Sequence, residues 1–250
     1  MFMNTEYSTP PAPARPYSRV GSLDPSALHK WLLSPNSSQQ ERERMDELIV
    51  CNLRIGRGAA LYHAGTASRH LYFIRLGSFK TLYCCEQGHQ LVTGFAMSNQ
   101  ALGLEAITGE CHACSALALE DSEVMSISYS GLERLAQDMP ALQANLNRLL
   151  SREIRRSQHM LITWGHYSAQ ERLAIFVLGL SRRFAARGYS AHHFVLRMSR
   201  EDIASFIGVR SETICRSITQ LRELQLVNIE GRNVEIIHLA QLEAFCQRGY

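Results

Sequence analysis

The spacing of apolar residues along the chain changes character three times, and each change predicts a different kind of element. Residues 1 to about 20 are rich in proline, serine and alanine and have no apolar period, so 1–22 are expected to form a disordered tail. Residues 23–50 carry a polar, helical spacing. From about 53 to 128 the pattern becomes short runs rich in aromatic and β-branched residues: L-Y-F-I-R-L-G, F-K-T-L-Y-C-C, Q-L-V-T-G-F-A-M and A-L-A-L-E-D-S-E-V-M-S-I. Eight of the sixteen glycines lie between Gly56 and Gly109 and punctuate these runs, and E-Q-G-H at 86–89 is placed to turn a hairpin. Many short strands with regular turns predict a jelly-roll β-barrel, the body of a sensor domain over 23–130.

The period turns helical at Leu132 and stays so to about Trp164. Leu150, Ile154, Ser157, Leu161 and Trp164 are spaced four, three, four and three apart, which is a coiled-coil seam rather than one face of a globular helix. A long dimerisation helix over 131–165 is expected, against the plainer alternative that the stripe packs on the chain's own barrel. No residue of the seam is charged, so no like charges meet across a two-fold axis, and the dimer is expected to form without a ligand.

Beyond a polar step at 165–168, A-Q-E-R-L-A-I-F-V-L-G-L-S-R-R-F-A-A-R-G reads as an amphipathic helix stopped by Gly188. Residues 194–198 read as a short strand. Ser199, with Asp202 three residues on, opens a helix that Gly208 ends; 208–210 form a tight turn and 211–224 a second helix. Ile214, Ile218, Leu221 and Leu224 would face a core. L-V-N-I-E-G-R-N-V-E-I-I gives two strands about a turn at 230–233. Residues 166–250 thus form a winged helix-turn-helix, and the fold class is α+β.

In that plan the second helix enters the DNA major groove and presents its N-terminal side chains to base edges. The candidates are Arg210, Ser211, Glu212, Thr213, Cys215 and Arg216. Arginine can donate two parallel hydrogen bonds to guanine N7 and O6, glutamate can accept from the cytosine amino group, and the soft Cys215 can lie against a thymine methyl. The plain alternative is an exposed Glu212–Arg216 pair one helical turn apart, worth only a few tenths of a kcal/mol. The preceding helix, the glycine turn and the wing weigh against it.

Charge and cysteine content adjust this picture modestly. The net charge is +3; residues 169–250 hold 11 Lys and Arg against 8 Asp and Glu, leaving 15 against 15 for the rest. The excess lies in the C-terminal third, where it suits a double-stranded DNA partner and equally an ordinary surface. No apolar run approaches the roughly 20 residues of a membrane span and the N-terminus lacks the marks of a secretory signal, so a cytoplasmic location without a membrane partner is expected. Seven cysteines suit thiols or ligands better than a disulfide framework. C-H-A-C at 111–114 is open between a disulfide, half of a metal site and no role; Cys111, Cys114 and the groove-facing Cys215 are the candidate redox residues.

Several stretches together resemble the Crp/Fnr family of bacterial transcription regulators: G-R-G-A-A-L-Y-H-A-G at 56–65, L-Y-F-I-R-L-G at 71–77, E-Q-G-H-Q-L-V-T-G-F at 86–95, E-R-L-A-I-F-V-L-G-L-S-R-R-F-A-A-R-G at 171–188 and E-T-I-C-R at 212–216. The last is similar to the Fnr branch, whose recognition helix carries E-x-x-S-R and prefers TTGAT-like inverted repeats. Glu212 and Arg216 match, and Cys215 stands in place of the serine. The resemblance implies a cyclic-nucleotide-binding-like barrel, a homodimer, contact with RNA polymerase, activation as the sense of regulation, and a response to oxygen or redox state.

The same resemblance marks departures. Oxygen-sensing members hold an iron-sulfur cluster on three N-terminal cysteines and a fourth on a strand; residues 1–50 here contain none, and Met125 takes the strand position. Cyclic-nucleotide-binding members hold phosphate with an Arg-Ser pair, where this chain has Ala113 and Cys114, so cyclic AMP is not an expected effector. No cofactor or metal is expected; an unidentified metal or haem, ten histidines being present, is the alternative. An enzyme is not expected: there is no Ser-His-Asp pattern, no phosphate loop, and no βαβ unit near Cys111 of the kind a CxxC thiol oxidoreductase uses.

Overall fold

The computed structural model describes residues 17–21, 24–85, 88–107 and 109–247. The chain divides into two compact units, Met1–Leu150 and Ser151–Tyr250.

The first unit contains β1 (Tyr17–Val20), α1 (Ser26–Leu32), α2 (Gln39–Asp46), β2 (Ile49–Ile55), β3 (Ala60–Tyr62), β4 (His70–Leu76), β5 (Ser78–Cys84), β6 (Gln90–Met97) and β7 (Ala101–Leu102). A 3-10 turn at Leu104–Ala106 follows, then β8 (Ser115–Ala118), β9 (Ser122–Ser128), α3 (Tyr129–Asp138) and the start of α4 (Pro140–His166). The strands form two antiparallel sheets, ordered β1-β2-β9-β4-β7 and β3-β8-β5-β6.

Alternation along β9 explains why a strand can be buried on both faces. Val124 joins Leu53, Ile55, Ile74 and Phe79 in one core, while Met125 and Ile127 join Leu71 and Phe73 in another, against helices. Leu28, Leu32, Met45, Leu132 and Leu142 supply the helical side of that second core. Glu123 sits between Arg54, 2.9 Å away, and Arg75, and its carboxyl is held below the usual range chiefly by the Arg75 hydrogen bond and then by that of Arg54.

Two expectations need correction. Tyr17–Val20, placed in the disordered tail, pairs with β2 in register Tyr17↔Ile55 to Val20↔Asn52; the other residues of 1–22 except Gly21 lie outside the described residues. The polar segment 23–50 forms helices as its spacing predicts, with Leu28 and Leu32 buried on α1 and Met45 on α2. The run after Cys114 forms the two strands β8 and β9. The single helix expected over 131–165 is broken at Met139 (φ −124°, ψ 87°). Proline disfavours helical backbone in the residue before it but suits a first helical position, so α4 starts at Pro140. The hairpin between β5 and β6 forms as expected; Glu86 and Gln87 of its turn lie outside the described residues.

The second unit holds the rest of α4, then α5 (Ala169–Ala185), β10 (His193–Val195), α6 (Arg200–Ile207), α7 (Ser211–Glu223), β11 (Val227–Glu230), β12 (Asn233–Ile236) and α8 (Leu239–Gln247). The last helix carries no periodic signal that the sequence reading used. Capping boxes start α5 (Ser168 with Glu171) and α6 (Ser199 with Asp202). Gly208 ends α6 at φ 70°, a left-handed backbone that glycine adopts without strain. The strands form a sheet ordered β10-β12-β11. Among the described residues no helix is long and apolar enough to cross a membrane.

Candidate nucleic-acid interface and a buried polar cluster

The α6-turn-α7 segment is held from beneath. Ile214 and Leu221 are fully buried and Ser217 and Ile218 nearly so, which fixes the rotation of α7 and turns its opposite face outward. Leu224, expected in this core, is instead 50% exposed: it follows the last helical residue as the C-cap, with ψ 0°, and leaves the apolar stripe.

The outward face carries the expected residues. Arg210, Ser211, Glu212, Cys215 and Arg216 are exposed and Thr213 is half-buried. The Arg210 carbonyl accepts from the Thr213 N–H at 2.9 Å, closing the first turn. No side chain caps α7, so the positive end of its peptide dipoles is open to an anion such as a backbone phosphate. Glu212 and Arg216 form no ion pair with each other or with another described residue, so the plain alternative of a mutual salt bridge is not realised. Cys215 Sγ lies 3.8 Å from Nη1 of Arg200, the first residue of α6. The β11–β12 hairpin turns at Gly231 (φ 61°), with Arg232 exposed beside it.

The seam residues lie on α4. Ile154 is 58% and Leu161 66% exposed, Ser157 is exposed, and Leu150 and Trp164 are half-buried. For apolar side chains on an amphipathic helix this is a large uncovered stripe.

A second constellation, which the sequence reading did not assemble, lies inside the first unit. Oε1 of Glu105, on the 3-10 turn, is 3.3 Å from His112 Nδ1, accepts from the Tyr62 hydroxyl at 3.5 Å and from the Cys114 thiol at 3.6 Å. The His112 ring stacks on Tyr62, centroids 3.7 Å apart and planes 10° apart, and Tyr72 stacks on Tyr62 from 5.6 Å. The Tyr129 hydroxyl donates to the Gly103 carbonyl, and Gly103, at φ 91°, has no room for a side chain beneath Tyr129. Backbone bonds knit the loop down: Gly65 N–H to the His112 carbonyl at 2.8 Å, and His112 N–H to Thr66 at 2.9 Å.

The electrostatics follow from this packing. Burial works to raise the Glu105 carboxyl, but hydrogen bonds from His112, its own backbone and Cys114 outweigh burial and hold it below its usual value. Burial, then the Glu105 charge, pushes the Cys114 thiol up to about 12, so Cys114 is a thiol donor here rather than a thiolate. Tyr62 and Tyr129 are raised by burial as well. Cys111 is exposed one loop turn away, and both sulfurs are free thiols. Only His112 and Cys114, inside C-H-A-C, signalled the cluster in the sequence; their partners come from β3, β4, the 3-10 turn and α3.

Among the described residues no three His, Cys, Asp or Glu side chains converge to hold a metal ion. A four-thiolate cluster does not suit the donor set: no cysteine lies in residues 1–50, and the Met125 thioether is fully buried in an apolar core.

Comparison with known proteins adds an independent line. Residues 53–139 match the cyclic nucleotide-binding domain family, and residues 171–245 the Crp-like helix-turn-helix domain family. The chain is 40% identical over 203 residues to the transcriptional regulatory protein btr of Bordetella pertussis, covering 81% of this chain and 84% of that protein. It is 36% identical over 205 residues to the fumarate and nitrate reduction regulatory protein of Vibrio cholerae, covering 82% of each. It is 34% identical over 203 residues to the transcriptional activator protein anr of Pseudomonas aeruginosa, covering 81% and 83%. In fold it is similar to FixK2 from Bradyrhizobium japonicum, with a TM-score of 0.71, 24% identity, and coverage of 78% of this chain and 96% of that one.

Proposed function

The chain belongs to the Crp/Fnr family of DNA-binding transcription regulators, and from that premise we propose that it binds a TTGAT-like inverted repeat as a homodimer and controls genes in response to oxygen or redox state. One observation carries the reading: Arg210, Glu212 and Arg216 are exposed along one edge of a helix whose other face is locked in a core. Unengaged groups of both hydrogen-bonding senses, one turn apart, suit base edges of a G·C pair. The uncovered Ile154 and Leu161 support pairing of α4 with its counterpart. The relative from Pseudomonas aeruginosa is named as a transcriptional activator, and activation is the sense of regulation we propose for this chain, with the contact to RNA polymerase that the family resemblance implies.

The redox part of the reading rests on chemistry at the same edge. Cys215 is exposed between Glu212 and Arg216, and Arg200 lies beside its sulfur. Attack of the thiolate on hydrogen peroxide breaks the O–O bond, forms a sulfenic acid and releases hydroxide, adding an oxygen where α7 would meet the groove. No four-thiolate cluster enters this scheme.

Footprinting on genomic fragments tests the whole. The expected result is a protected inverted repeat, with affinity that falls steeply as salt rises; protection of no inverted repeat at any ionic strength or redox potential overturns it. Sedimentation at micromolar concentration separates dimer from monomer. Peroxide is expected to weaken operator binding by the wild-type chain and to leave Cys215→Ser unaffected. The absorption spectrum and metal content of protein purified without oxygen test the cofactor-free part, which iron-sulfur or haem bands would overturn.

A further inference from the structure

Arg172, in the first turn of α5, gathers three carbonyls from three places. Its Nε donates to Tyr167 at 2.8 Å, its Nη2 to Trp164, and its Nη1 to Ile207 at 3.2 Å. Trp164 lies in the last turn of α4, Tyr167 in the link that follows it, and Ile207 is the last residue of α6. Carbonyls at helix ends lack intrahelical partners, so each is a natural acceptor. The guanidinium is half-buried and forms no ion pair among the described residues; it is held by carbonyl dipoles alone. A planar fork donates to the three from three separate nitrogens in fixed directions, whereas a lysine ammonium would have to reach all of them from one atom. Gly208 completes the joint: a side-chain carbon there would stand 3.6 Å from Nη1 and 4.0 Å from the Trp164 ring, and its φ of 70° carries the chain round into α7.

We propose that Arg172 is a positioning residue that locks the helix-turn-helix to the end of the seam-bearing helix, so that pairing of α4 sets the distance between the two recognition helices. The inference rests on the dimeric reading above. Once one half-site is bound, the second binds intramolecularly, and the gain depends on how well the spacing is held in advance. A domain freed to pivot about 167–168 would still read one half-site but would accept several spacings.

The test uses the full chain and three duplexes: the protected inverted repeat, the same repeat with one base pair inserted at its centre, and a single half-site. Fluorescence anisotropy gives the affinities, and circular dichroism at the assay temperature reports folding. For the wild type the insertion is expected to cost about tenfold or more. For Arg172→Gln, affinity for the intact repeat should fall about tenfold or more, since charge-assisted hydrogen bonds are lost, while the half-site stays within about threefold. The contrast between the two spacings should shrink to less than about threefold.

Arg172→Lys keeps the charge without the fork and should behave like Arg172→Gln; it also carries the test should the glutamine variant unfold. A wild type that binds the repeat no better than the half-site overturns the dimeric reading and the lock with it. A wild-type spacing preference retained by both variants, or restored by lysine, overturns the lock alone. So does an equal loss on all three duplexes in step with a lowered melting temperature, the mark of a merely structural arginine.

Discussion

The leading edge of α7 and the cluster around Glu105 both concentrate polar chemistry, yet they treat it in opposite ways. On α7, Glu212 and Arg216 stand in solvent one turn apart without bonding to each other. Around Glu105, three donors converge on one carboxylate oxygen, and an imidazole is stacked away from water. The first arrangement leaves binding capacity unspent for another molecule; the second uses its capacity to hold a loop to a barrel. Exposure and lack of internal partners, rather than density of polar groups, separate a contact surface from a structural network.

The largest expected effect falls on the open edge. Arg216→Ala should weaken operator binding by about 10- to 100-fold for each half-site, from the loss of a bidentate base contact, with no change in melting temperature. Anisotropy and a thermal melt read the two quantities separately, and a stability loss without an affinity loss would reverse the comparison. The closed cluster should respond the other way. His112→Ala removes a stacked ring and the strongest partner of Glu105, and should cost about 2 kcal/mol in urea unfolding while moving operator affinity less than about threefold.

The pH dependence sharpens the same contrast. Glu105 and Glu123 both have depressed folded values, so the unfolded chain binds their protons more readily. Their contribution to stability is complete above the unfolded carboxyl value of about 4.3 and is lost as pH falls through the lower folded values. Urea midpoints between neutral and acid pH should therefore fall, and Glu105→Gln should flatten part of that fall. The smallest effect is kinetic: at mildly alkaline pH the exposed Cys84, Cys111 and Cys215 should be alkylated first, and Cys114, with its thiol near 12, at least about tenfold more slowly by mass spectrometry.

How much of this could be read from residues alone depended on the range of the interaction. The helix-turn-helix was legible to single residues, because Ser199, Asp202 and Gly208 act on their immediate neighbours and Ile214, Ile218 and Leu221 repeat within one helix. Leu224 misled because periodicity does not mark where a helix ends. Pro140 carried the break in 131–165 openly, yet the unbroken apolar spacing hid it. The Glu105 cluster was illegible for a different reason: Tyr62, Glu105, His112 and Tyr129 meet only after two sheets and a helix are in place, so no window of sequence contains them together. Arg172 escaped notice too, since its acceptors are backbone carbonyls, and any residue type supplies those.

The small first strand has a practical bearing. Tyr17–Val20 hydrogen-bonds along β2 and so closes one margin of the five-stranded sheet. Trimming the gene to begin at residue 24, a natural choice for anyone discarding a proline-rich stretch, would strip that cover and bare the backbone of residues 52–55. Shortened versions of the protein should then stick to one another through the newly naked rim, and keeping residues from Tyr17 onward should restore well-behaved material.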